Sequence, residues 1–159
     1  MIDKITSWKF AEDFASEPAE IRAARRSANE LGVESVTEAT GSQLAVIAGL
    51  TRAKSIVEVG TGAGVSGLWL LSASTDSVLT TIDSEPEYQL AARENFKQAD
   101  VASSRIRVIS GRAASVLANM AEAAYDLVFL DLHPVDLDEV LPLAVGLTKP
   151  GGCLLYTSP

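Results

Sequence analysis

From Ser55 onward the chain repeats one unit: a short β-prone run, a turn, then a helix-forming stretch. The runs are Ser55–Gly60 (SIVEVG), Val78–Asp83 (VLTTID), Ile106–Ser110 (IRVIS) and Asp126–Leu132 (DLVFLDL). Between them lie the apolar helix VSGLWLLSAS, a helix from Pro86 carrying Tyr88, Ala91, Ala92 and Phe96, and a helix through RAASVLANMAEAA. This alternation restricts the fold to the α/β class, a mostly parallel sheet with helices on both faces, because parallel neighbours need a crossover that packs back on the sheet.

The stretch before Ser55 reads as helical. Pro18 suits the first turn of a helix through EIRAARRSANELG, which Gly32 ends, and a second helix covers SQLAVIAGLTRA with Leu44, Ile47 and Ala48 on one face. Near the other end, Asp136-Leu-Asp-Glu139 has the form of a capping box for a helix toward Leu147, which Pro142 should bend or shorten. Lys149-Pro-Gly-Gly152 reads as a turn centred on Pro150 and Gly151. No internal repeat or linker interrupts the chain. Its 159 residues suit one domain, with helices over 1–54 leading into a nucleotide-binding core over 55–152.

Charge narrows the partners. A net charge of −8 opposes an electrostatic grip on nucleic acid or on an anionic membrane, so neither is expected as a partner. No basic residue occurs between Arg112 and Lys149, a stretch with six acids. The opening residues hold acids where a secretory signal needs an apolar run, and no window reaches the length of a membrane span. One cysteine excludes an internal disulfide. A cytoplasmic location is the resulting expectation.

Ligands of open parallel sheets bind beyond the carboxyl ends of the strands, where strand order reverses. Four such ends carry suggestive groups: Glu58 with Gly60, Asp83, Gly111 and Asp131. Glycines at 60, 62 and 64 let the backbone turn sharply and let a ligand come close, with the amides of the next helix facing it. An ordinary strand-to-helix turn has the same look. Glu58 adds weight, since a carboxylate inside a buried strand is costly unless paired, and a ligand ammonium is a reasonable partner. Asp83 is placed to accept both hydroxyls of a ribose; the alternative is a helix-start acid like Glu85 and Glu87.

The segments VEVGTGAGVSGLWLL, LTTIDSEPEYQLAARENF, ISGRAASVL, YDLVFLDLHPVD and LTKPGG, in that order, resemble the class I S-adenosylmethionine-dependent O-methyltransferases, most closely the catechol/caffeoyl-CoA type in its small actinobacterial form. The resemblance runs from about Ala24 to Gly152 and implies a Rossmann-like sheet of seven strands, a methyl transfer to a hydroxyl of a small, phenolic acceptor, and a homodimer for the full-length protein. Gly60 and Thr61 are implied to pack on the methionine part, with Glu58 near its amino group and Ser66 on its carboxylate. Asp83 is implied to take the ribose hydroxyls, Ser84 and Ala113 to lie at the adenine, and the Val36 backbone to line the pocket. Asp131 is implied to face the methionine part or the acceptor, as a catalytic group or as a ligand for Mg²⁺ or Ca²⁺ in metal-dependent members, with His133 among the acceptor contacts.

Two departures bear on catalysis. Pro134 stands where catechol-type members carry a lysine, and no Asp-Asn pair follows for a metal. His133 is the one titratable replacement nearby and suits a base, so it joins Asp131 as an expected catalytic residue. The family pattern continues through two further strands, and Cys153–Pro159 resembles a translated sequencing-adapter end, so the expectation is a shortened member with its last strands missing, a non-native tail over 153–159 and weak activity or cofactor binding alone. CLLYT is also β-prone enough to be a genuine fifth strand. The competing enzyme class is an NAD(P)-dependent oxidoreductase: Gly62-Ala-Gly64-Val-Ser-Gly67 fits the dinucleotide pattern with Asp83 after it, although Gly60 already fills the place of the first glycine and Glu58 suits no pyrophosphate. On the methyltransferase reading, carboxylates 58 and 83 should serve opposite ends of one adenosyl-amino-acid ligand.

Overall fold

A computed structural model describes residues 4–157. Five strands, β1 (Ser55–Val59), β2 (Val78–Asp83), β3 (Ile106–Ser110), β4 (Tyr125–Leu130) and β5 (Thr148–Tyr156), form one all-parallel sheet in the order β3-β2-β1-β4-β5. Successive strands move outward from β1 on one side and then from β4 on the other. The reversal lies between β1 and β4, whose carboxyl ends carry Gly60 and Asp131.

Strand parity sorts the core into two layers. Ile56, Leu79, Leu127 and Phe129 pack with helices α2 (Ala19–Glu30), α3 (Glu38–Leu50), α4 (Val65–Ser72) and α5 (Pro86–Gln98). Val57, Val59, Ile82, Val128 and Leu130 pack with α6 (Ala113–Leu117) and α7 (Pro134–Leu147). Strand positions buried on both faces need apolar residues, and the buried positions of β1, β2 and β4 supply them except at Glu58, Thr80 and Thr81. No helix among the described residues is long and apolar enough to cross a membrane.

Four local expectations are corrected. Lys149–Gly152 is no turn but the first half of β5, where the register against β4 shifts between Tyr125 and Leu127. A bulge at a sheet edge tolerates both the missing N–H of Pro150 and the φ of +79° at Gly151. Helix α7 begins at Pro134 with His133 as its cap, not at Asp136, and Pro142 neither ends nor shortens it. Helix α6 stops at Leu117, where the Asn119 side chain donates to the Ser115 carbonyl at 2.8 Å. An additional helix, α1 (Lys4–Phe14), precedes the first expected one and docks through Glu12 Oε2, which accepts the Ala39 N–H at 3.0 Å. Cys153–Tyr156 complete β5, while Ser158 and Pro159 of the expected tail lie outside the described residues.

Candidate active site

Glu58 and Thr81 face each other in the β1–β2 register, on the layer where β1 and β2 otherwise present Ile56 and Leu79. Glu58 is completely buried. Its Oε2 accepts the Thr81 hydroxyl at 2.6 Å, and Thr81 Oγ1 lies 2.7 Å from Thr61 Oγ1. A hydroxyl has one proton, so with Thr81 donating to Glu58, Thr61 must donate to Thr81. That leaves the Thr61 oxygen as an acceptor. Glu58 Oε1 has no hydrogen-bond partner. Burial pushes the Glu58 carboxyl up to about 7, opposed by the Ser66 hydroxyl, which lies nearby without hydrogen-bond geometry, and by the Thr81 hydroxyl, and assisted by the charges of Asp131 and Asp83.

Asp83 ends β2 and ties together three loops. Its Oδ2 accepts the Gly62 N–H at 2.9 Å and its Oδ1 the Glu85 N–H at 3.0 Å. Its carbonyl accepts from Gly111 N–H at 3.0 Å and from Gln89 Nε2 at 2.6 Å. Each carboxylate oxygen keeps a second lone pair for a ligand hydroxyl. From α5, Asn95 Nδ2 donates to the Ala63 carbonyl at 2.9 Å and holds the glycine loop. Gly60, at φ +97°, is required twice over, because a Cβ there would also collide with the Asp131 carbonyl.

Two small clefts flank this crest and share Gly60 and Asp83. The first, about 160 Å³, is lined by Ile82, Ser84, Arg112, Ala113 and Leu132. The second, about 150 Å³, is lined by Val36, Thr61, Ser66, Tyr88 and Asp131. Glu58 lines neither. It lies below the floor of the second cleft, behind Thr61 and Ser66. A third, more open cleft of about 550 Å³ adjoins the second through Glu34, Val36 and Asp131 and contains His133 and Thr157. A groove across Gly60 thus has the Asp83 carboxylate on one side and the Thr61 and Ser66 hydroxyls, with the buried acid behind them, on the other.

Asp131 stands between the second and third clefts. Burial, and then the charge of Glu34, raise its carboxyl above the usual carboxylate range, while the Thr157 hydroxyl, donating at 2.6 Å, pulls it back. His133 is exposed, and its Nδ1 accepts the Val135 N–H at 3.5 Å as the cap of α7. Among the described residues no group of three His, Cys, Asp or Glu side chains gathers to hold a metal. Asp131 alone does not make an oxygen cage for Mg²⁺ or Ca²⁺, and no step is drawn through one.

Residues 57–156 match the model of a family described as a methyltransferase domain. The chain belongs to this family. A protein of Mycobacterium sp. (strain JLS), provisionally named an O-methyltransferase, is 51% identical over 146 residues, covering 91% of this chain and 66% of that protein. The chain thus spans just under two thirds of that relative's length. Among solved structures, a Corynebacterium glutamicum protein superposes with a TM-score of 0.87 at 29% identity, over 96% of this chain and 74% of its own. The O-methyltransferase TomG of Streptomyces achromogenes, involved in tomaymycin synthesis and solved with S-adenosylmethionine, gives 0.84 at 26%, over 98% and 74%.

Of the sequence-predicted residues in this methyltransferase domain, Gly60, Asp83, Ser84 and Ala113 meet in the first cleft, and Val36, Gly60, Thr61, Ser66, Asp83 and Asp131 in the second. His133 is separated from both and joins Asp131 only in the third. Thr81, Tyr88, Gln89 and Asn95 went unnoticed. Thr81 carries no local signal, because its place across from Glu58 comes from the β1–β2 register.

Proposed function

We propose that the chain is the cofactor-binding part of an S-adenosylmethionine-dependent O-methyltransferase acting on a hydroxyl of a small phenolic acceptor. The observation that carries this reading is the unpartnered, fully buried Glu58 Oε1 beneath a cleft whose far side is Asp83. An ammonium above Thr61 and Ser66 supplies the missing countercharge, and a ribose diol at Asp83 supplies two donors.

When bound, the cofactor offers a methyl group on a positively charged sulfur, an intrinsically good leaving group. The protein then has three tasks. Asp83 and the glycine loop would hold one end of the ligand, and Thr61 and Ser66, backed by Glu58, the other. Asp131 borders the third cleft, where the acceptor enters, and orients the acceptor hydroxyl in line with the methyl carbon. His133 shapes the mouth of that cleft, its Nδ1 held by Val135 N–H. Asp131 or water would take the proton that the acceptor hydroxyl gives up when its oxygen receives the methyl group.

Calorimetric titration with S-adenosylhomocysteine and, separately, with NADH tests the reading. Binding of the first alone supports it; binding of NADH alone replaces it with an oxidoreductase. Turnover with S-adenosylmethionine and catechol, read as methylated product, tests the acceptor class.

A further inference from the structure

Arg25 lies on α2, outside every cleft, and yet holds one of their walls. The Glu17 side chain just before α2 is 1% exposed, against 20% for Arg25. Arg25 Nε reaches both Glu17 oxygens at 3.1 Å and Nη2 reaches Oε1 at 2.7 Å. The remaining nitrogen, Nη1, donates to the Val36 carbonyl at 2.7 Å. Arg22 Nη2 steadies the arrangement by donating to the Glu17 carbonyl at 2.9 Å.

The stretch from Val33 to Val36 has few other restraints. Val33 N–H closes the end of α2 onto the Ala28 carbonyl at 2.9 Å, and Thr37 opens α3 by accepting the Thr40 N–H at 3.2 Å. Between those two points, Arg25 on Val36 is the one hydrogen bond to the backbone among the described residues. This stretch walls the second cleft through Val33, Glu34 and Val36, and the third through Glu34 and Val36. A buried ion pair contributes little net stability against an apolar pair of the same shape, but it fixes geometry where geometry matters. Three bonds in fixed directions need a planar guanidinium; a lysine ammonium can hold Glu17 or Val36 but not both in this arrangement.

We infer that Arg25 is a positioning residue for the cofactor: its fork on Glu17 aims Nη1, and Nη1 sets the Val36 carbonyl and with it the wall common to the second and third clefts. The inference rests on the S-adenosylmethionine reading above. Its effect is on ligand affinity and on local mobility of residues 34–36, not on the stability of the sheet.

Wild type, Arg25→Lys and the double variant Glu17→Leu/Arg25→Met are compared as full chains. The double variant leaves no buried charge unpaired, so it keeps the fold where a single truncation risks losing it. Thermal melting, calorimetric titration with S-adenosylhomocysteine and residue-resolved hydrogen exchange are the readouts. Both variants should melt close to wild type, bind S-adenosylhomocysteine about tenfold or more weakly, and exchange faster at the amides of 34–36 only. Wild-type affinity in either variant overturns the inference. So does faster exchange spread over the whole molecule, or loss of cooperative melting in both variants, since each assigns the pair to folding alone. A wild-type chain that does not bind S-adenosylhomocysteine removes the cofactor reading itself, a result distinguishable from the others because it appears before any substitution.

Discussion

The buried carboxyl of Glu58 makes stability depend on pH with a predictable sign. Its ordinary value of 4.5 is raised to about 7 in the folded chain, with burial as the main cause. Folding therefore retains a proton that the unfolded chain releases between those values. Stability is complete below about pH 4.5, declines as pH rises toward 7, and is lower above that by about 3 kcal/mol, at ~1.4 kcal/mol per pH unit. Glu58→Gln cannot ionise and should remove most of this loss. Urea unfolding of the ligand-free chain at pH 5 and pH 8 reads both values. Wild type should lose about 3 kcal/mol between them, and Glu58→Gln should lose far less and exceed wild type at pH 8. Asp131 is raised as well, so a small residual decline in the variant belongs to it. A bound ammonium inverts the preference by favouring the ionised acid, so the affinity of wild type for S-adenosylhomocysteine should rise from pH 5.5 to 8 while that of the variant stays flat and low. Equal wild-type stability at the two pH values, or an undiminished loss in Glu58→Gln, would refute the argument.

Three further outcomes follow from the same contacts. Thr81→Val deletes the link between Glu58 and Thr61 and should weaken S-adenosylhomocysteine binding about tenfold, with Thr81→Ser restoring it, as calorimetry would show. Gly60→Ala combines a φ of +97° with a collision against the Asp131 carbonyl and should cost at least about 3 kcal/mol by urea unfolding. Asp126→Ala removes the acceptor of the Lys54 and Ser55 amides and the partner of Lys149 at 2.7 Å, at the end of the sheet away from the clefts. It should cost about 2–4 kcal/mol of stability and leave S-adenosylhomocysteine affinity unchanged.

The sheet was readable because β1 to β4 are compact apolar runs, each closed by a glycine or an acid at the ligand end. Where expectation failed, tertiary context outweighed local signals. Pro150 and Gly151 carry turn chemistry, and only the edge position of β5 and its bulge accommodate them in a strand. The acidic run at 136–139 has the local form of a helix start, but Pro134 at the first helical position and the His133 cap set the actual start of α7. Asp83 stands out in the sequence by its place at a strand end, which suits a ligand hydroxyl and a helix-start acid alike. Its hydrogen bonds to Gly62 and Glu85 depend on loop coordinates that no local pattern encodes. Thr81 and Arg25 were invisible for a like reason. A threonine in a strand and an arginine on a helix are ordinary, and their roles come from register and from a distant loop.

On the proposed reading, charge around the clefts favours a sulfonium cofactor over a dinucleotide. Glu34, Asp83 and Asp131 line the clefts and Glu58 lies beneath them, while the one basic lining residue of the first two, Arg112, already approaches Glu139 at 3.4 Å. A pyrophosphate placed over Gly60 would set two negative charges against these acids, and the helix amides alone would have to compensate. A ligand carrying both an ammonium and a positively charged sulfur meets them with the complementary sign. Methyl transfer removes the charge on sulfur but leaves the ammonium and the ribose hydroxyls unchanged. On that reading the acids near Gly60 would attract the methyl donor more strongly than the spent cofactor, and this difference would favour exchange of product for substrate after each transfer.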